Sequence, residues 1–269
     1  MTLSIATWNI NSVRLRIDSV LRYLAAAQPD VLCLQETKCP DSEFPLSAFA
    51  RAGYGHVIFR GMKGYNGVAI VARRPIREVG RMALCGKEDA RHIAAEVSGP
   101  DGKPVIVHNL YIPAGGDEPD REINPKFGHK LDFLSELHEW SLQSRNENLR
   151  SILLGDLNIA PFASDVWNHK ALLKVVSHTP IETDALNGLR ISGGWTDAVR
   201  HLTPEPAPIY TWWSYRSTDW SAADKGRRLD HIWVGSDLKA QIAGYDIARD
   251  SRGWDRPSDH VPLRLTLKA

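Results

Sequence analysis

Short apolar runs that stop abruptly at polar residues constrain this chain more than any other feature. They occur at Leu3–Thr7, Val31–Leu34, Val68–Ala72, Val105–Leu110, Ile152–Leu154 and Ile232–Val234. Each is short for a helix and rich in branched aliphatic residues, as expected of buried strands. Near the C-terminus, Val261, Leu263, Leu265 and Leu267 alternate with Pro262, Arg264, Thr266 and Lys268, the period of a strand with one wet face. Pro262 favours that strand's start or a sheet edge. Between the first two runs, Val13, Ile17, Val20, Leu21 and Leu24 share one helical face with Ser12 as the expected N-cap, giving a β-α-β opening. Phe127, Leu131, Leu134 and Leu137 predict a second helix from about Lys126 to Leu142. Strands outnumber helices, so the expected α/β architecture is layered, sheet on sheet with helices outside. Periodicity alone also fits one mixed sheet.

With 43% hydrophobic and 24% charged residues in 269, the chain can bury one large core. Glycine and proline are spread along it, so a single domain over residues 1–269 is expected. Met1–Ile10 is too short and polar for a signal peptide, and no apolar run nears the roughly 18 to 20 residues a bilayer crossing needs. Cys33, Cys39 and Cys85 form neither a CxxC pair nor an even set, which argues against a disulfide framework or structural zinc. The expectation is a cytoplasmic protein without membrane association and, with no apolar stripe to suggest a partner surface, a monomer. Lys plus Arg number 33 against 32 for Asp plus Glu, so any surface for a polyanion must be local. Nine tryptophans, and the arginines at 73, 74, 77, 227 and 228, read individually as core and solvated surface.

Functional groups collect where strands end. Here the runs give way to Asn9 and Asn11 in TWNIN, Glu36 in LQET, Tyr111 in NLYIP, Asp156 and Asn158 in LLGDLN, Asp230 in RRLDH, and Asp259 with His260 in SDH. Glu36 would emerge from a buried strand, a good position for Mg²⁺, which takes a few carboxylate oxygens and keeps much of its water. Alone, such a Glu more often accepts backbone hydrogen bonds. Asp156 and Asn158, two apart in extended chain, would face the same way. The acid could take a proton from water while the amide donates to a phosphate without adding charge, although D-x-N is also a common turn. His260 could donate to a non-bridging phosphate oxygen with Asp230 orienting its ring, or the two could be a structural pair. Tyr111 could equally be an ordinary half-buried aromatic.

In order and spacing, TWNINSVR, DVLCLQETK, GYNGVAI, YIPAGG, GDLNIAP, YTWWSYR, GRRLDHIWV and SDHVPL resemble the exonuclease III/AP endonuclease family of the endonuclease/exonuclease/phosphatase superfamily. The resemblance runs from Thr7 to Leu263. It implies a four-layered α-β-β-α sandwich of two mixed sheets, DNase I-like, with the active site at one edge of the sheets. It implies metal-assisted in-line hydrolysis of phosphodiesters in double-stranded DNA, with Mg²⁺ or Mn²⁺. The reactions would be incision 5′ to abasic sites and removal of nucleotides or blocking groups from 3′ ends. By motif position, Glu36, Asp259 and Asn9 belong to the metal site, with Asn11 less securely placed. Asp156 is the base or proton donor, Asn158 positions the nucleophile, Asp230 orients His260, and Tyr111 hydrogen-bonds the phosphate or helps the leaving group. Gly64, Asn66 and Gly67 of GYNGVAI would let backbone approach a DNA phosphate. Trp212 would wall the pocket for an extruded abasic sugar, and Trp213 is expected in the core.

Two departures accompany the resemblance. Arg227 stands beside the sugar pocket where relatives carry varied, often apolar, residues. Asp117, Glu118, Asp120 and Glu122 make the loop after Tyr111 acidic, so it is expected to face away from DNA or to be neutralised by Arg121 and Lys126. Alternative readings are a phosphatase acting on inositol polyphosphates with the same machinery, and a catalytically silent DNA-binding module.

Overall fold

The computed structural model describes residues 1–217 and 219–269. Its strands are β1 (Thr2–Asn9), β2 (Val31–Gln35), β3 (His56–Arg60), β4 (Val68–Ala72), β5 (Arg77–Gly80), β6 (His92–Ser98) and β7 (Pro104–Tyr111). They continue with β8 (Ser151–Asp156), β9 (Thr196–Asp197), β10 (Trp212–Trp213), β11 (Gly226–Arg227), β12 (Asp230–Val234), β13 (Ile242–Ile247) and β14 (Leu263–Lys268). Among the described residues, one six-stranded sheet runs β13-β14-β1-β2-β4-β3 and a second runs β5-β6-β7-β8-β12-β9, with β10 and β11 as a separate ribbon. Both sheets are mixed: β1 lies parallel to β2 and β7 to β8, and the other pairs are antiparallel.

The apolar runs are continuous because each face of each sheet is covered. Alternate residues Leu3, Ile5, Val31, Cys33, Val68 and Ile70 meet Ile93, Val105, Val107, Ile152, Leu154 and Ile232 in the core between the sheets. Their neighbours Trp8, Leu32, Leu34 and Val71 pack outward against Val20 and Leu24 of the helix Ile17–Ala27 and against Phe49. On the other side, Leu110, Leu153 and Trp233 pack under Phe133, Leu134 and Leu137 of the helix Pro125–Gln143 and under Leu186 and Leu189 of Pro180–Ser192. The result is the helix-sheet-sheet-helix sandwich of the DNase I-like fold.

The sequence reading needs amendment at several places. The first helix starts at Ile17, not after Ser12, and Arg16 at its N-cap makes no side-chain capping bond. Asn11 and Ser12 have φ of 48° and 89°, and Ser12 and Val13 donate from their backbones to the carbonyls of Glu36 and Thr37. That segment is spent on pinning the loop that carries Glu36. Pro262 stands immediately before β14, so the first of its two expected places holds, and β14 itself is an inner strand between β13 and β1. The apolar runs and the C-terminal alternation do not reach β3, β5, β6 or β13, nor the two-residue strands β9, β10 and β11. The sequence of β6, HIAAEVS, fits either a strand or a helix, and β13 is half-exposed and irregular at Ile242/Gly244.

Register brings the strand ends together: Asn9 pairs with Gln35, Tyr111 with Asp156, and Asp156 with Asp230. Gly155 makes this possible. Its φ is +139°, and a Cβ there would sit 1.9 Å from the Leu110 carbonyl oxygen, so no larger residue fits between the two strands.

Candidate active site

Asn9 joins the two sheets chemically. Its buried amide nitrogen donates to Glu36 Oε1 and to Asp156 Oδ2, both at 2.8 Å. Its carbonyl oxygen accepts from the Asn11 N–H at 3.1 Å, so the amide bridges two acids and its oxygen is already engaged. The Asn9 backbone carbonyl accepts from Ser258 Oγ at 2.7 Å, which ties the SDH segment to β1. Beneath this layer, Gln35 Nε2 donates to Thr7 Oγ1 and to Asn109 Oδ1, a buried amide contact between the sheets.

Glu36 has φ of 49°, an uncommon conformation for a Glu, at the turn where β2 ends. Oε1 also accepts from the Tyr111 hydroxyl at 2.9 Å, and Lys38 Nζ lies 2.7 Å from Oε2. Burial pushes this carboxyl up, but Lys38, the Asn9 bond and His260 outweigh it and hold the group below its ordinary value. Lys38, which also donates to Asn11 Oδ1 at 2.7 Å, was missed by sequence reasoning, although it stands two residues after Glu36 in LQETK. Tyr111 turns its hydroxyl to Glu36, and burial together with Glu36 raises its pKa well above the usual phenol value.

On the facing sheet, Asp156 is wholly buried. Asn158, with φ of 53°, donates its backbone N–H to Asp156 Oδ1 at 2.9 Å and its amide to Oδ2 at 3.1 Å. His260 Nδ1 lies 2.8 Å from Asp230 Oδ2 and its Nε2 lies 3.7 Å from Asp156 Oδ2. Burial pushes the Asp156 carboxyl up to about 7, with Asp230 and Glu36 adding to the effect and His260 and Asn9 opposing it. Burial disfavours the His260 cation, yet Asp230 and Asp156 overcome this and raise its pKa to about 10. The His260 shift favours an imidazolium held by Asp230, while burial draws Asp156 toward its neutral form, so the two groups compete for charge across the 3.7 Å gap. The backbone at His260 is held in turn by Trp8 Nε1, which donates to its carbonyl at 2.9 Å.

Asp259, next to His260, turns the other way. Oδ2 accepts from Trp212 Nε1 at 2.9 Å and Oδ1 from Asn11 Nδ2 at 3.3 Å. Glu36, Asn158, Asp259, His260, Trp212 and Arg227 all border one cleft of about 540 Å³. Trp213 is core, 1% exposed. Arg228 is fully buried between Asp165 and Asp197, at 2.8 Å from each, and serves structure.

Gly64, Asn66 and Gly67 do not border the cleft. They lie in the β3–β4 loop, beside the segment after Glu36: the Thr37 and Lys38 N–H groups donate to the Gly67 and Asn66 carbonyls. Gly67 is glycine for packing, because a Cβ there would meet Thr37 Oγ1 at 2.1 Å, and Asn66 spends its amide on the Asp89 carbonyl at 2.8 Å. Gly64 is exposed with open space around it. The acidic loop also departs from expectation. Asp117 borders the cleft, and Arg121 pairs with Asp132 of the following helix.

The ionisable groups form a hard-oxygen donor set suited to a divalent cation such as Mg²⁺ or Mn²⁺. Asp156, Asp230 and His260 each offer a ligand atom, all within 4.8 Å of one another, so a cluster able to hold a metal ion is present. Asp230 Oδ1 is buried without a hydrogen-bond partner, so the protein alone leaves that cluster incompletely satisfied. Glu36 and Asp259 supply further carboxylates on the open side.

Two packed mixed sheets whose ends converge on carboxylates, two amides and a carboxylate-held histidine define a metal-assisted phosphoester hydrolase class of site. The chain belongs to the endonuclease/exonuclease/phosphatase family, which it matches over residues 6–260, and within it to the AP endonuclease/exonuclease III-like group. It is 31% identical to exodeoxyribonuclease III of Haemophilus influenzae, over 97% of this chain and 98% of that one. It superposes on an AP endonuclease from Archaeoglobus fulgidus with a TM-score of 0.90 at 31% identity, covering 99% and 100% of the two chains. The 3′ phosphatase NExo from Neisseria, solved bound to product DNA hairpin, is similar at a TM-score of 0.88 and 32% identity over 99% and 100%.

Proposed function

We propose that this protein is a DNA-repair nuclease that hydrolyses phosphodiester bonds in double-stranded DNA, incising 5′ to abasic sites and clearing 3′ ends of nucleotides or blocking groups. The observation that carries the reading is the meeting of Glu36, Asp156 and Asp259 with the Asp230–His260 pair beside one cleft walled by Trp212. Its relatives include an exodeoxyribonuclease III, an AP endonuclease and a DNA 3′ phosphatase.

Glu36 and Asp259 would hold the divalent cation, Mg²⁺ or Mn²⁺, on the open side, because both border the cleft, while His260 is engaged by Asp230. Asn9 keeps Glu36 and Asp156 in register. A cation held there would supply neutralisation of the charge that builds on the scissile phosphate and the leaving 3′ oxygen. Asp156 accepts a proton from the attacking water, which Asn158 orients. His260 donates to a non-bridging oxygen as charge builds there, with Asp230 fixing the ring. Tyr111 orients Glu36. Gly64, Asn66 and Gly67 support a loop that meets the DNA backbone, and Trp212 with Arg227 receives the group 3′ to the scissile phosphate. We also propose that the protein acts as a monomer in the cytoplasm.

The test is incubation of the purified protein with a duplex carrying one abasic-site analogue, with Mg²⁺ or with EDTA. Metal-dependent incision 5′ to the lesion supports the reading. Tight binding without incision, or release of phosphate from inositol polyphosphates alone, overturns it.

A further inference from the structure

Arg227 is a cation with no carboxylate partner. Its neighbour Arg228 contacts two buried aspartates, yet no acidic group lies within salt-bridge distance of Arg227 among the described residues. It is mostly buried, and burial lowers its pKa from the ordinary guanidinium value; Glu182 offsets part of this from a distance, without forming a salt bridge. It is also immobilised. Nη1 donates to the Val176 carbonyl at 3.1 Å and to Ser177 Oγ at 2.8 Å, and the guanidinium lies 5.2 Å from the centre of the Trp212 ring. Nε is buried without a partner, and Nη2 makes no hydrogen bond to any described residue.

The backbone places this cation relative to the reacting centre. Trp212 pairs with Arg227 on one side and bridges to His260 on the other. Arg227 and His260 therefore flank Trp212 at about two strand spacings, on the order of 10 Å between backbones. Lys225 and Arg216 also line the cleft and take part in no salt bridge among the described residues, and its carboxylates are Glu36, Asp117 and Asp259. The Trp212 ladder thus sets the Arg227 guanidinium about one small group away from His260.

Resting on the proposed nuclease function, we infer that Arg227 is a specificity-determining residue that selects substrates whose scissile phosphate carries a small oxyanion-bearing group, such as a carboxylate, on its far side. The carboxylate meets Nη2, the guanidinium nitrogen that is neither hydrogen-bonded nor buried, in a charge-assisted pair. The bond change is ordinary hydrolysis. Water adds to phosphorus, the bond to the DNA 3′ oxygen breaks, that oxygen takes a proton, and the phosphate departs with its carboxylate ester group. A neutral group of the same size fits the space but leaves the arginine unpaired.

The experiment compares kcat/KM, with Mg²⁺, on duplexes ending in 3′-phosphoglycolate or in the neutral 3′-phosphate ester of ethylene glycol, with an internal abasic analogue alongside. For the native protein the glycolate-to-glycol ratio should be about tenfold or more. For Arg227→Leu it should fall close to one. Arg227→Lys should lie between, since it keeps charge without the planar fork, and Arg227→Gln should resemble Leu, which guards against a folding defect peculiar to one variant. An active native enzyme with a ratio near one, or a ratio that survives Arg227→Leu and Arg227→Gln, overturns the role of Arg227. Inactivity of the native protein on all three DNAs overturns the nuclease reading and the inference together.

Discussion

Replacing Lys130 with Met should destabilise the protein severely, although the side chain touches no substrate. Lys130 and Glu182 are both wholly buried, with Nζ 2.6 Å from Oε1. Nζ also donates to the Asn158 carbonyl at 2.8 Å and the Ala114 carbonyl at 3.2 Å, joining the loops on either side of the cleft. Glu182 in turn accepts from Ser177 N, Thr179 N and Thr179 Oγ1, and so secures the segment that anchors Arg227. Methionine would fill most of the volume but strand a buried carboxylate and two carbonyls. Breaking one partner of such a pair costs about 3–5 kcal/mol. At roughly 2–3 °C per kcal/mol for a chain of this size, the midpoint should drop by about 6–15 °C. Adding Glu182→Gln should recover part of the loss, because the uncompensated charge goes while most acceptor bonds remain. Thermal unfolding followed by calorimetry at pH 7 reads both changes. A loss under about 1 kcal/mol for Lys130→Met, or a double variant as unstable as the sum of the singles, would refute the reasoning.

Asp156→Asn and His260→Ala should each cut turnover by on the order of 10² or more while DNA affinity stays within about tenfold, measured by single-turnover incision and by equilibrium binding. Near-normal turnover in either removes that residue from the chemistry. Glu36→Gln should shift the Mg²⁺ titration of activity to higher concentration; an unchanged titration takes Glu36 off the ligand list. Burial holds His108 and His231 down to about 4 in the folded protein. Because these folded values lie below the unfolded value near 6.5, the unfolded chain binds more protons between them. Stability is therefore full above about pH 6.5 and is lost as pH falls toward 4, by up to roughly 3 kcal/mol per histidine. Unfolding midpoints across this range should show the slope, and His231→Gln should flatten it; an identical slope in that variant would exclude its contribution.

Much of the fold was legible because its strands announce themselves. Val68–Ala72 was read to the residue, and most other runs were extended by one or two residues at their ends. The polar residue at each strand end signalled the site, since buried strands leave few other places for Asn9, Glu36 and Asp156 to emerge. What stayed hidden depends on partners distant in sequence. Lys130 and Arg228 look like surface charges until Glu182, Asp165 and Asp197 are placed beside them. Ser12 carries the residue type of a helix cap but sits in the left-handed region, because its backbone serves the Glu36 loop. The close approach of Thr37 to Gly67, where a Cβ would meet Thr37 Oγ1 at 2.1 Å, is likewise a contact between segments that the sequence does not announce.

The most direct measurement is anomalous diffraction from crystals soaked in Mn²⁺. A single peak roughly 2 Å from carboxylate oxygens of Glu36 and Asp259, with Asp156 and His260 facing it across the cleft, is the predicted result. A peak seated between Asp156, Asp230 and His260, or no ordered peak in the cleft, would contradict it.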